Sequence, residues 1–324
     1  MRIDVHCHYY PPAYLAEAFK LGAASSDPWD RGWYDQMHGK AFGNPKMSAV
    51  EERIEEMDRA GVDIQALSTV IPNAYFKDAE VSKGFAQMIN DSLAEIYHRY
   101  PTRFRVFASL PMGHPAMAMD ELRRVTGKLG LHGLIIGDNI RGRLLDDPDF
   151  LPVFQEADRL GLPIFLHPMS PPGADWFEDY DLVSIVAFMF DNTQAVARLV
   201  FGGVMESCPN LKVIVPHLGG AFPYLIGRMD QDHKLRPQCR VKISESPSKY
   251  LKKMYVDTLS FHAPAIRCAY ETLGPGHMVL GSDHPFALGG MEIITQSVQA
   301  MGFPPEEEAA ILGGNAAALL GVKV

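Results

Sequence analysis

Ile3-Asp4-Val5-His6-Cys7-His8 opens the chain, and the reading of this stretch decides the fold. Alternation along a strand puts residues i and i+2 on one face, so His6 and His8 aim at a single point. Three later segments repeat the design of an apolar run that stops at a chemically capable side chain. They are Leu162-Pro163-Ile164-Phe165-Leu166-His167, Val213-Ile214-Val215-Pro216-His217 and Met278-Val279-Leu280-Gly281-Ser282-Asp283. Parallel strands of one barrel gather their C-terminal ends on one rim, the rim on which barrels do their chemistry.

Working outward, eight short apolar or β-branched runs fall at 2–6, 63–69, 104–110, 132–136, 163–167, 212–216, 253–258 and 277–282. Between them, residues 81–100, 116–129, 149–160 and 184–207 carry apolar side chains at helical spacing. Ser48-Ala49-Val50-Glu51 reads as a capping box opening a helix that stops at Gly61. Strand–helix alternation at this count predicts a parallel sheet closed into a (β/α)8 barrel, with residues 1–324 as one domain. An open doubly wound sheet is the main competitor, and no Gly-rich turn follows the first strand to support it. Two segments break the rhythm. Residues 20–47, after the first strand, hold Gly, Asp and Trp with little periodicity, and residues 168–183 follow the fifth strand. Both read as long βα loops over the catalytic rim, serving as lid or pocket wall.

The bulk properties exclude several classes. A chain of 324 residues with 47% hydrophobic and 21% charged residues is an ordinary globular protein. Its apolar runs are strand-length, too short to span a bilayer. The opening Met1-Arg2-Ile3-Asp4 lacks the apolar core of a secretory signal. Cys7, Cys208, Cys239 and Cys268 have no paired spacing, so reduced thiols and a cytoplasmic location are expected. A net charge of −9 without a basic run argues against nucleic acid as a partner. A small anionic substrate remains compatible, because a few buried arginines can dominate the local field.

A lone His-x-His strand end is only moderately specific, and His167 or His217 alone reads as a hydrogen-bonded core histidine. Together, on one rim with Asp283, they point to a metal centre. Imidazole nitrogens and a carboxylate suit one divalent ion, Zn²⁺ first, with Mn²⁺, Fe²⁺ and Co²⁺ as alternatives. His6, His8, His167 and Asp283 are assigned as ligands, and His217 as the general acid/base beside them. The competing partition makes His217 the fourth ligand and Asp283 the proton carrier. No lysine ends the fourth strand (Leu134-Ile135-Ile136-Gly137-Asp138-Asn139), so no carbamylated lysine bridges two metals and the centre is mononuclear. Asn73, Asn139 and Arg141 are weaker pocket candidates. Tyr9, Tyr10 and Phe286 offer an aromatic wall, and His262 and His284 stand behind the ligands. The 16 methionines read as core filler.

These stretches resemble the amidohydrolase superfamily, in particular its branch of aminocarboxymuconate-semialdehyde decarboxylase and related aromatic-acid decarboxylases. The resemblance rests on Ile3–Pro11, Arg53–Asp63, Ile164–Pro168, His217–Arg228, Leu280–Phe286 and Gly313-Gly314-Asn315-Ala316, and so covers essentially the whole chain. It implies a (β/α)8 barrel, often dimeric, that holds Zn²⁺ or Mn²⁺ and removes a carboxylate from unsaturated or aromatic acids. The family's ligands fall on His6, His8, His167 and Asp283, and its acid/base histidine on His217. Arg228 falls where the family uses an arginine that reaches a neighbouring subunit's substrate carboxylate, and Trp176 near an active-site tryptophan after the fifth strand. One departure stands out. Where the decarboxylase has a second substrate arginine, Gly39-Lys40-Ala41-Phe42-Gly43-Asn44-Pro45-Lys46 has none. Lys40 or Lys46 would supply a point charge without the bidentate fork.

The leading expectation is therefore non-oxidative decarboxylation of a small unsaturated or aromatic acid by a cytoplasmic homodimer. A metal-dependent hydrolase or hydratase acting on a lactone, ester or enol acid is the alternative, since both need one metal, one base and one anion clamp. A non-catalytic scaffold barrel is the third reading, and it has no need of an assembled ligand set.

Overall fold

The structure is a computed structural model that describes residues 1–38, 43–169, 171 and 173–323. Its barrel strands are β1 (Ile3–His8), β2 (Ile64–Ser68), β3 (Phe104–Ser109), β4 (Gly133–Gly137), β7 (Ile164–His167), β8 (Val213–Val215), β9 (Tyr255–Asp257) and β10 (Met278–Val279). The intervening β5 (Asn139–Ile140) and β6 (Arg143–Leu144) form a small antiparallel hairpin outside the barrel. All seven pairings in the order β1-β2-β3-β4-β7-β8-β9-β10 are parallel. The ring closes where Val5 N–H donates to Leu280 O (2.9 Å) and His8 N–H to His284 O (2.7 Å). Each of the eight expected strands is present, because runs buried on both faces must be nearly all apolar.

Around the barrel lie α1 (Pro12–Ala24), α2 (Pro28–Met37), α3 (Val50–Ala60), α4 (Ala79–Arg99), α5 (Pro115–Arg124), α6 (Leu151–Leu160), α7 (Phe188–Phe201), α8 (Val204–Ser207) and α9 (Phe222–Leu235). Three expectations need correction. Residues 20–47 are not an aperiodic loop. Within them α1 ends, and α2 begins at Pro28 behind a cap, Asp27, whose carboxylate accepts from Trp29 N–H and Asp30 N–H. An acidic cap followed by Pro at the first helical position is a start signal that hydrophobic periodicity cannot show. The capping box at Ser48 does not form. The cap of α3 is Ala49, while Ser48 Oγ–H donates to Tyr10 O (2.6 Å). Finally, the stretch 184–207 is not one helix, since Gly203 at φ 81° separates α7 from α8.

Candidate metal centre

His6 and His8 end β1, His167 ends β7, and Asp283 follows β10 in left-handed backbone at φ 60°. One donor atom from each of these four residues lies within 4.8 Å of every other. The ring centroids of His6 and His8 are 5.0 Å apart, and that of His167 is 5.5 Å from His6 and 4.9 Å from His8. Chain segments up to 277 residues apart thus converge on one point, as the two-residue spacing on β1 required.

The outer nitrogens decide what the inner ones can do. His6 Nδ1 faces Asp257 Oδ2 at 2.6 Å, His8 Nδ1 faces Ser68 Oγ at 3.1 Å, and His167 Nδ1 faces the Pro168 carbonyl at 2.9 Å. A proton donated outward from Nδ1 leaves Nε2 as a lone-pair donor turned inward, the usual arrangement of metal-binding histidines. His6 Nε2 is buried without a hydrogen-bond partner and lies 3.2 Å from Asp283 Oδ1. His8 Nε2 lies 2.9 Å from the same oxygen. Leaving a buried polar atom unpartnered costs about 1–3 kcal/mol, so the arrangement fits a cation that accepts that lone pair. Three imidazoles and a carboxylate are a donor set for one divalent ion.

The charges agree. Burial alone would depress His6, but Asp283 and Asp257 outweigh it and push its pKa up to about 10. Without a cation, a proton on His6 offsets only part of the negative charge around it. Burial pushes His8 down to about 4 and His167 well below the ordinary value, with neighbouring imidazoles adding to the effect on His167. Against the cost of its own burial, Asp283 is held well below the usual carboxylate range by His6 and His8. The centre asks for positive charge, which a dication would supply.

His217 stands beside the four, its ring centroid 5.1 Å from His6 and 5.8 Å from His167. Its Nδ1 faces Asn192 Oδ1 at 3.0 Å. Burial pushes its pKa down to about 4, with His6 adding to the effect. It lies on a sharp turn in which His217, Leu218, Gly219 and Gly220 all have positive φ (53°, 56°, 79° and 60°). Non-glycine residues held there cost on the order of 1–3 kcal/mol each and cluster at functional sites. A Cβ on Gly220 would come within 2.3 Å of Met189 O, so this corner needs glycine. Phe165 packs 5.0 Å from His6 and Phe286 lies 5.4 Å from His8, giving the centre an apolar wall.

Other sequence candidates land elsewhere. Trp176 is 84% exposed, and Arg228 is exposed on α9, beside a groove lined by Phe201, Leu225 and Met229. Neither is brought to the four-residue cluster within this chain. Arg141 faces α2, pairing with Asp27 (2.8 Å) and Asp30 (2.5 Å). Asn139 is buried against Asp191, and Asn73 Oδ1 accepts from Ala74 N–H. Tyr10 is buried and donates to Ile71 O, His262 is exposed, and His284 Nε2 lies 3.2 Å from Glu56. Lys40 lies outside the described residues, and Lys46 pairs with Glu56. Two residues went unread in the sequence. Asp257 was signalled by an acid closing the apolar run Tyr255-Val256-Asp257, whereas Asn192 is one polar residue within a helix and gave no signal.

A closed parallel barrel whose C-terminal rim gathers three histidines and an aspartate defines a (β/α)8 enzyme with a candidate metal centre. An amidohydrolase family model matches residues 3–322, and the chain belongs to that family, within its aminocarboxymuconate-semialdehyde decarboxylase-like branch. A 2-amino-3-carboxymuconate-6-semialdehyde decarboxylase of Dictyostelium discoideum is 34% identical, covering 99% of this chain and 92% of the relative. A crystal structure of 5-carboxyvanillate decarboxylase from Sphingomonas paucimobilis is 27% identical with a TM-score of 0.91, covering 99% of both chains. A 5-carboxyvanillate decarboxylase of Novosphingobium aromaticivorans, complexed with manganese and 4-hydroxy-3-methoxy-5-nitrobenzoic acid, shares the fold. Its TM-score is 0.87 at 21% identity, covering 99% of this chain and 96% of that one.

Proposed function

We propose that the protein catalyses non-oxidative decarboxylation of a small aromatic or unsaturated carboxylic acid. The observation that carries this is the three-histidine, one-aspartate cluster in a chain 34% identical, over nearly its whole length, to a decarboxylase. Residues 1–324 form the catalytic domain, with 20–47 as its lid. The cofactor is one divalent ion held by His6, His8, His167 and Asp283. The mixed nitrogen and oxygen donors accept Mn²⁺ as well as the Zn²⁺ expected from sequence, and the manganese-complexed structural relative puts Mn²⁺ first in any reconstitution.

When bound, such an ion supplies Lewis-acid polarisation of a substrate oxygen. The rest falls to the chain. Replacing a carboxylate by hydrogen requires a proton to be held and then delivered at the carbon that loses CO₂. His217 is the group for this, because its Nδ1 faces Asn192 and its Nε2 is left to exchange that proton. Asp283, with 13% of its side chain exposed, is the most open of the four ligands and takes a second part in proton handling. Phe165 and Phe286 keep water from the centre and present flat apolar surface to a planar acid.

Arg228 and Trp176 complete the site from a second copy in a homodimer. Supporting this, large apolar side chains (Trp176, Tyr180, Ile185, Phe190 and Tyr224) stand exposed on α9, on α7 and on the segment leading into it. The four free cysteines agree with a cytoplasmic setting, and among the described residues no helix is long and apolar enough to cross a membrane.

The test is a panel of muconate-type and hydroxylated aromatic acids offered to protein loaded with Mn²⁺ or Zn²⁺, following CO₂ release. Turnover with CO₂, lost on chelation, is expected. Metal-loaded protein that instead incorporates ¹⁸O from labelled water into a lactone, ester or enol acid, with no CO₂ from any acid, would establish the hydrolase or hydratase.

A further inference from the structure

Two consecutive residues after β4, Asp138 and Asn139, meet two consecutive residues of α7, Asp191 and Asn192, in a crossed arrangement. Asn192 Nδ2–H donates to Asp138 Oδ2 (2.6 Å), and Asn139 Nδ2–H to Asp191 Oδ2 (3.2 Å). Asp191 Oδ2 also accepts from Met169 N–H (3.0 Å), so the quartet ties the end of β4, the loop after β7 and the start of α7 together. All four side chains are buried. Asp138, Asn139 and Asp191 have no part in the steps proposed above, yet the quartet reaches the site, because Asn192 Oδ1 is the partner of His217 Nδ1 at 3.0 Å.

An amide has a donor end and an acceptor end, and whichever end is claimed fixes the other. Asp138 claims the donor end. Turning the amide over would set its oxygen against Asp138 Oδ2 and its NH₂ against the ring nitrogen. We infer that Asn192 is a positioning residue for His217, and that Asp138, two hydrogen bonds away, sets the tautomer of that histidine. Asp138 Oδ2 accepts, Asn192 Oδ1 therefore faces the ring, the ring proton sits on Nδ1, and Nε2 is left free toward the metal centre. The assignment holds while Asp138 Oδ2 is the acceptor. Burial and the neighbouring Asp191 push its carboxyl well above the usual range, and the atom free to take the proton is Oδ1, which has no partner. The inference rests on the decarboxylase reading only for its kinetic arm.

Zinc-loaded protein with ¹⁵N-labelled histidine provides the test, the His217 signals being assigned by their loss in His217→Gln. The wild-type ring is expected as the Nδ1–H tautomer, and a His217 protonated on Nε2 alone overturns the inference without any variant of the quartet. Asp138→Asn lets the Asn192 amide take either orientation, so an Nε2–H form is expected to appear. With it, kcat should fall on the order of 10–100-fold while metal content and KM stay near wild type. Asp138→Asn that alters stability but leaves tautomer and kcat unchanged reduces the quartet to a structural clamp and overturns the positioning role. Asn192→Leu, which removes the acceptor, should lose the tautomer preference as well, and an unchanged Nδ1–H ring there is equally fatal. Failure of every acid to release CO₂ counts against the decarboxylase reading, and the wild-type spectrum still decides this one.

Discussion

At the scale of single residues, the four-residue cluster is held by groups that stand behind it. Asp257 shows this most clearly. Its Oδ2 sits on His6 Nδ1 at 2.6 Å, while its Oδ1 accepts from Leu218 N–H (2.8 Å) and Leu259 N–H (3.1 Å). One buried carboxylate therefore aims a ligand and pins the strained turn that carries His217. Asp257→Asn keeps the shape but weakens the bond to His6, so metal affinity should drop roughly 10–100-fold, read by competition with a chelator. Unchanged affinity would show that His6 is aimed by its strand alone. His217 makes no contribution to the four-donor cluster, so His217→Ala should cut turnover about 10²–10⁴-fold while leaving metal content near one per chain. Loss of the metal in that variant would instead favour the partition in which His217 is a ligand.

At the scale of elements, the site depends on how closely strand ends approach. The last barrel strand passes β1 and β9 at Gly281, where a Cβ would lie 2.7 Å from Asp257 Cβ and 2.8 Å from His6 Cβ. Both neighbours are fixed, one by its ion pair and the other by its strand. Gly281→Ala should therefore cost about 1–3 kcal/mol in denaturant unfolding, since packed cores resist an added methyl, and should loosen metal binding with it. A neutral result would mean that the two strands can separate without disturbing the ligands. The same reasoning explains α2. Its polar sequence carries little helical periodicity, and what holds it in place is the burial of Trp33 and Met37 in the core together with the pairing of Arg141 with Asp27 and Asp30.

At the scale of the whole molecule, the barrel stores several imidazoles in their neutral form. Burial holds His8, His132 and His217 at about 4 and His284 at about 3, below the ordinary 6.5. For such groups the unfolded chain binds more protons in the window between the folded and unfolded values. Their stabilisation is complete above pH 6.5 and is lost as pH falls toward 4. Each proton taken up makes stability fall by roughly 1.4 kcal/mol per pH unit in that window. His6 has the opposite sign. Raised to about 10, its contribution in the metal-free protein is complete below pH 6.5 and fades as pH rises toward 10. Metal-free protein should therefore be most stable near neutrality and fall off steeply in acid, as thermal unfolding across buffers from pH 4 to 10 would show. A flat profile between pH 6.5 and 4 would mean that these imidazoles are protonated in the folded state.

Much of this was legible in the amino-acid order, for a physical reason. Strands buried on both faces must be apolar, so eight apolar runs gave eight barrel strands. A polar, metal-capable side chain at the end of such a run stands out against its neighbours, which is how His6, His8, His167, His217 and Asp283 were found. Ser48 read as a helix cap because local spacing cannot reveal that the carbonyl of Tyr10 competes for its hydroxyl. Asp138, Asn192 and Asp257 were invisible as a set, since a hydrogen bond to an imidazole carries no periodicity and joins elements far apart in sequence. The sequence by itself determined the barrel and the side chains gathered on its rim, because hydrophobic patterning is local. Only the tertiary structure decided which nitrogen of each histidine faces inward, because that choice belongs to partners brought together by closure of the barrel.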